Sequence, residues 1–378
     1  MASTVELLAA YLTVWLVVTF AASRIAAGRL GDRVSISSLA VVIKISRRFE
    51  VFEKLRRYRL VGYLLDAGIA ATVLLAGFFY YILARRLILL LTRAEAAGTA
   101  PLVPIIPGLT ISVETFLYLL PGLSLAVIAH ELLHALAARY EGVEVKSAGF
   151  LVALGLIPAA FVEPDEEQLL RAHLRSKLRI YSAGILANTV LALLFIALLN
   201  TLAASGFALA IVDVEPGSPA AASGLPANTL VKAIYVNGTE TTSLSEFVET
   251  LHTLYQGKGP ENVSLSLTIV LWNGEIVNVT KPVGAERIGI SLAEVPISLA
   301  ELGFSPYIAY ILNIVLNLAL TANLGLALIN AVPIFVTDGA QVLRSVTIRV
   351  LGEKLGMTVT VLVSAFTLAL IAPNIYVP

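Results

Sequence analysis

The sequence predicts an α-helical polytopic membrane protein of about six spans that carries one small inserted α+β domain, and three observations predict it. Of 378 residues, 58% are hydrophobic and 14% charged, and the mean hydropathy is +0.87, well above what a soluble domain uses. Six apolar stretches, 7–22, 61–84, 111–138, 180–204, 306–330 and 357–372, are long enough to cross or nearly cross a hydrocarbon core about 30 Å thick. Between 206 and 295 the texture changes to turns and short alternating runs, as in 208–214 and 263–270, the pattern of half-buried strands.

These features divide the chain into N-terminal spans with a basic loop (1–110), a membrane core in two parts (111–204 and 301–350), the inserted domain (205–300) and a C-terminal span (351–378). No basic leader precedes the first apolar run and no A-x-A site follows it closely, so a retained helix is expected there. Ten Lys or Arg residues lie between Arg24 and Arg59, six between Arg139 and Arg179, and three more at Arg344, Arg349 and Lys354. The positive-inside rule makes these segments cytoplasmic. The insert, with four basic against ten acidic residues from Ser205 to Gly303, then falls outside. Arg85, Arg86 and Arg93 run against the rule. The basic loop after the first span reads as a contact with anionic lipid of the bilayer. Asp66, near the basic end of the second span, is expected to pair with Arg59 or Arg57, a functional acid being the alternative. Pro101, Pro104 and Pro107 predict a short external loop ahead of the third span.

The third span carries His130-Glu131-Leu132-Leu133-His134. On a helix the two histidines share a face, so their imidazoles can share one metal ion while Glu131 stands beside them as a base. Two histidines and a glutamate among leucines and alanines at bilayer depth need a compensating partner, and a metal supplies one. At 1.5 Å per residue His130 lies roughly 12 Å from the cytoplasmic end of its helix. Pro121-Gly122, about two turns upstream, is a point for a kink. The apolar segment 147–161 is too short to span and predicts a re-entrant loop or hairpin facing the site. Asn188, in mid-membrane, needs a hydrogen-bond partner on another helix or on substrate. The fifth span ends in Asn330-Ala-Val-Pro333, followed by Asp338-Gly339. Pro333 and Gly339 disfavour an unbroken helix, which lets a carboxylate point inward and makes Asp338 the natural third ligand. The chain has no cysteine, so disulfides and thiolate ligands are excluded.

In this combination and order the residues resemble the site-2 protease family of intramembrane zinc metalloproteases. His130 to His134 matches its H-E-x-x-H, Asn330 to Gly339 its N-x-x-P-x-x-x-x-D-G, and Gly184 with Asn188 its G-x-x-x-N, over about 111–349. The resemblance implies one zinc ion per chain held by His130, His134 and Asp338, with Glu131 as general base. Three ligands leave open the fourth position that a catalytic zinc needs. Asn188 and Asn330 are candidates for holding substrate backbone or the developing oxyanion. Segment 215–225, followed by 230–234 and the turn 236–239, resembles a PDZ domain of the circularly permuted type, which implies a peptide ligand added as a strand, with 206–209 as the gripping loop. The expected partners are a single-span or membrane-anchored protein substrate, that peptide ligand and the lipid bilayer, with no nucleic acid. The rival reading is a non-proteolytic membrane scaffold or PDZ-based peptide-binding protein with a structural metal, and Glu131 speaks against it because a structural zinc has no use for a free carboxylate beside its ligands. Metal transport would need a path of acidic or histidine residues across several spans, whereas the remaining histidines, His173 and His252, lie outside the spans.

Overall fold

The structure is a computed structural model that describes residues 13–21, 34–37, 40–45, 49–92, 102–153 and 157–375. It divides into two compact units, Met1–Leu194 with Leu318–Pro378, and Phe195–Asn317. Of the first expected span, 7–22, residues 13–21 are helical, and 7–12 and 22 lie outside the described residues. Helices are numbered here in chain order: α1 (Arg59–Leu91), α2 (Val113–Glu141), α3 (Leu174–Ala203), α4 (Leu244–Tyr255), α5 (Pro306–Ala331), α6 (Asp338–Leu351) and α7 (Glu353–Ile371). Among the described residues, five helices are long and apolar enough to cross a membrane: α1, α2, α3, α5, and α7 with the turn that follows it. With the family reported below, this makes the chain an integral multi-pass membrane protein.

In the first unit, α2 begins where Ser112 accepts a hydrogen bond from the Thr115 N–H at 3.0 Å, which satisfies one of the free donors at a helix start. The helix continues through Pro121. Gly122 is where it meets α5, since a Cβ there would lie 2.5 Å from the Ala319 Cα, so the missing side chain permits close backbone approach. The segment 147–161 is part of an antiparallel hairpin, β3 (Val145–Ala153) and β4 (Ile157–Pro164), with 154–156 outside the described residues. Two strands from the basic loop, β1 (Val34–Ile36) and β2 (Ala40–Ile45), extend it into a sheet of order β1-β2-β3-β4. The run Ala-Val-Val-Ile-Lys-Ile of β2 is strand-like in its β-branched content, but basic flanks make that loop read as a lipid contact alone. β4 is an edge strand and packs against α2.

Asp66 is not paired with Arg57 or Arg59. Its carboxylate accepts from Arg179 Nε and Nη2, both at 2.8 Å, and from Arg175 Nη2 at 2.5 Å, while Arg179 Nη1 also donates to Glu141 at 2.8 Å. Arg59 stands seven residues earlier on the same helix, about 10 Å along its axis, so arginines of the neighbouring helix α3 reach Asp66 instead.

The second unit is built on an antiparallel sheet of β5 (Phe207–Val214), β6 (Thr229–Val236), β7 (Thr239–Thr241), β8 (Leu265–Leu271), β9 (Ile276–Lys281) and β10 (Ile290–Pro296), in the order β10-β5-β6-β8-β9 with β7 on β6. Alternation in β8 sends Leu265, Leu267, Ile269 and Leu271 into a core shared with Phe247 of α4. A smaller cluster joins Ala210 and Val295 to Leu202, Leu299 and Ala309. The residues expected as a gripping loop, 206–209, instead enter β5 and pair with β10, Phe207 opposite Pro296 and Leu209 opposite Glu294. Gly206, at φ +81°, makes the turn by itself and leaves the apolar alternation after it free to form a strand. A groove of about 320 Å³ lies elsewhere, between α4 and the start of β10, lined by Phe247, Leu251, Tyr255, Ile288 and Ile290.

Candidate metal centre

His130 and His134 stand one turn apart on α2 with their Nε2 atoms 3.2 Å from each other, as the i, i+4 spacing requires for side chains on one face. The third donor comes from 204 residues later in the chain. α5 stops at Ala331, and Thr337 closes the turn into α6 by donating its hydroxyl to the Val332 carbonyl at 2.6 Å and accepting from the Ile334 N–H at 3.1 Å. Asp338 is therefore the first residue of α6. Its Oδ2 lies 3.1 Å from His130 Nε2 and 3.2 Å from His134 Nε2.

The spacing tests whether a zinc ion fits. Ligand atoms at about 2.0 Å on a tetrahedron sit roughly 3.3 Å apart, close to the separations found among these three donors. Two imidazole nitrogens and one carboxylate oxygen form a donor set that zinc accepts. Room is kept by Gly184 of α3, where a Cβ would lie 2.5 Å from His130 Nε2 and against His134 Nε2. Gly184 is the residue that sequence reasoning left without a role. Its signal was present, since it precedes Asn188 by four and so shares that residue's face of α3.

The ring orientations are set from behind. His134 Nδ1 lies 2.8 Å from the Ile180 carbonyl, so the ring proton resides there and Nε2 keeps its lone pair toward the centre. His130 Nδ1 faces the Asn188 amide at 3.1 Å, and Asn188 is fully buried with its Oδ1 otherwise unpartnered. A half-turn of that amide presents the oxygen to an Nδ1–H, which satisfies both groups and frees His130 Nε2 in the same way. Asn188 thus lies against His130, and Asn330 donates to the Leu326 carbonyl one turn back at 3.1 Å. Glu131 lines a cavity of about 320 Å³ whose other walls are apolar, including Ile128 and Leu132 of α2 and Phe150, Phe161 and Val162 of the hairpin.

Two histidines and an aspartate thus meet at one point as a donor set suited to a metal ion, with a glutamate between the histidines in sequence. The sequence profile of peptidase family M50 matches residues 118–373, which take in both halves of the centre, and the chain belongs to that family, the site-2 protease family. The chain is 35% identical over 154 residues to an uncharacterized protein of Methanocaldococcus jannaschii, a match that covers 40% of this chain and 37% of that protein. It is 29% identical over 150 residues to a membrane-bound transcription factor site-2 protease homolog of Arabidopsis thaliana, covering 38% of this chain and 28% of that protein. The chain matches only about a third of the length of these curated relatives.

Proposed function

We propose that this chain is a zinc endopeptidase that cuts a membrane-anchored protein within or near its transmembrane segment. The observation that carries this reading is the set of three donors 3.1–3.2 Å apart around a space that Gly184 leaves open, with Glu131 on the wall of an adjoining apolar cavity. His130, His134 and Asp338 would hold the metal, with the Ile180 carbonyl and the Asn188 amide orienting the two rings. Zinc, when bound there, supplies Lewis acidity to a scissile carbonyl and makes a water more acidic. Glu131 takes the proton of the attacking water and passes it to the leaving nitrogen. A substrate helix hides its peptide bonds, so it must unwind locally before attack. The backbone edge of β4 supports such a step, because an extended segment can pair there while its side chains enter the cavity beside Glu131. Asn330 is a further group for holding the substrate backbone.

In this reading the second unit is a PDZ-like domain on the extracytoplasmic side, and the metal centre lies toward the cytoplasm. The groove between α4 and β10 supports a peptide ligand, since β10 ends the sheet and offers an edge for strand addition. The same groove favours the second reading, a peptide-binding scaffold. Cleavage of a single-span reporter by the purified protein separates the two. Glu131→Gln is expected to slow cleavage by about 10²–10⁴-fold while leaving bound zinc in place, and a zinc chelator to stop cleavage by the parent. Cleavage by Glu131→Gln at the parent rate would make the protease reading wrong. A scaffold would bind the same peptides in both forms and release no product from either.

A further inference from the structure

A larger cavity, of about 710 Å³, lies where the chain enters α3 and the later part of α6 lines its wall. Arg171, His173, Arg175 and Lys177 contribute from the first element and Ser345 and Arg349 from α6, and no acidic side chain lines the space. Part of this charge is answered. Arg175 is held by Asp66, Arg171 by Glu167 four residues earlier, and Lys177 donates to the Leu170 carbonyl at 2.8 Å. Among the described residues, His173 and Arg349 have no ion-pair partner. Leu174, the first residue of α3, is itself a wall of the cavity, so the positive end of that helix adds to the side chains.

We infer that this cavity binds a phosphate group, presented by the headgroup of an anionic lipid or as free phosphate. Two cations from separate elements, the Lys177 ammonium and the Arg349 guanidinium, line one space, and donors from two sides suit a tetrahedral anion better than a flat carboxylate. The lipid source fits the position, because α3 is an apolar helix of 30 residues and the cavity sits at its start, where a span meets headgroups. The site also joins two helices that matter to the metal centre. α3 carries Ile180, Gly184 and Asn188, and α6 starts with Asp338, so a phosphate between Lys177 and Arg349 ties these elements together away from the metal.

The test uses the full chain, purified in detergent and in bilayer nanodiscs. Native mass spectrometry measures retention of phosphatidylglycerol against phosphatidylcholine, and equilibrium dialysis measures uptake of inorganic phosphate. The parent is expected to retain phosphatidylglycerol in preference to phosphatidylcholine, or to take up phosphate. Lys177→Gln with Arg349→Gln is expected to weaken that binding by about thirtyfold, on the order of a few-fold for each cation removed. Arg349→Glu, a change at an exposed residue, is expected to give a comparable loss by itself, and Lys232→Gln with Lys258→Gln, the same charge change at exposed residues of the second unit, to give none. Retention of phosphatidylglycerol without uptake of phosphate assigns the lipid source, uptake without lipid preference assigns the soluble one, and both support the site. Binding of neither, or equal weakening in the cavity variants and the distant pair, overturns it.

Discussion

Two polar clusters interrupt the apolar helices of the first unit, and they differ in whether they close on themselves. Around Asp66, both carboxylate oxygens accept from guanidinium groups, Arg179 is shared with Glu141, and Ser176 donates to Glu141 at 2.5 Å. Acceptors and donors balance, so the cluster joins α1, α2 and α3 without a further ligand. At the candidate metal centre, two imidazole nitrogens and a carboxylate face one point, and among the described residues no Lys or Arg pairs with Asp338. A charge inside an apolar helix is therefore not functional by position alone; a set of ligand atoms with no paired Lys or Arg is what marks a candidate cation site.

The contrast is sharpest at the two residues that keep each cluster as it is. Gly184→Val places carbon where the three donors converge, so zinc per chain, measured by atomic absorption, is expected to fall by more than about a hundredfold while the fold is retained. Stoichiometric zinc in that variant would show that the space is not the metal's. Arg179→Ala acts on the closed cluster. It leaves two carboxylates short of their shared partner, an expected loss of about 3 kcal/mol seen as a lower thermal midpoint, with zinc per folded chain unchanged. Loss of zinc without loss of stability would merge the two clusters into one functional unit.

A smaller effect is expected behind the metal. Asn188→Leu removes the partner of His130 Nδ1 and is expected to lower zinc affinity about 10–100-fold in competition with a chelator. Affinity equal to the parent's would show that helix packing alone orients the ring. The smallest effect lies outside both clusters. Asp165 caps the short helix Glu166–Arg171, and the Gln168 N–H, then the Lys146 ammonium, hold its carboxyl below the usual carboxylate range. Because the folded value is the lower one, this contact contributes above the unfolded aspartate pKa of about 3.9 and is lost as pH falls through the folded value. The thermal midpoints of the parent and Asp165→Asn are expected to differ slightly above about pH 5 and to converge in stronger acid. A difference that persists there would mean the carboxylate's charge is not what matters.

Legibility followed distance along the chain. The pairing of His130 with His134 is written in a four-residue spacing, and the hairpin 147–161 in a short apolar run. Asp338 was reached from sequence only by joining a broken helix end to a distant histidine pair. The partners of Asp66, 109 and 113 residues away, were misread because local basic residues were the only ones a linear reading offers. Residues 206–209 were read as a loop for the same reason, whereas strand pairing takes 207–209 into β5 and leaves a groove between α4 and β10.

By itself the sequence determined the apolar helices, the alternating strands of the insert and the shared face of the two histidines, because these follow from backbone periodicity and from the cost of polar groups in lipid. Only the tertiary structure decided which polar cluster closes and which stays open, that Gly184 makes the space and that Asn188 backs His130. Those outcomes depend on partners that folding brings together from opposite ends of the chain, and the energy of a buried polar group is set by the partners it finds.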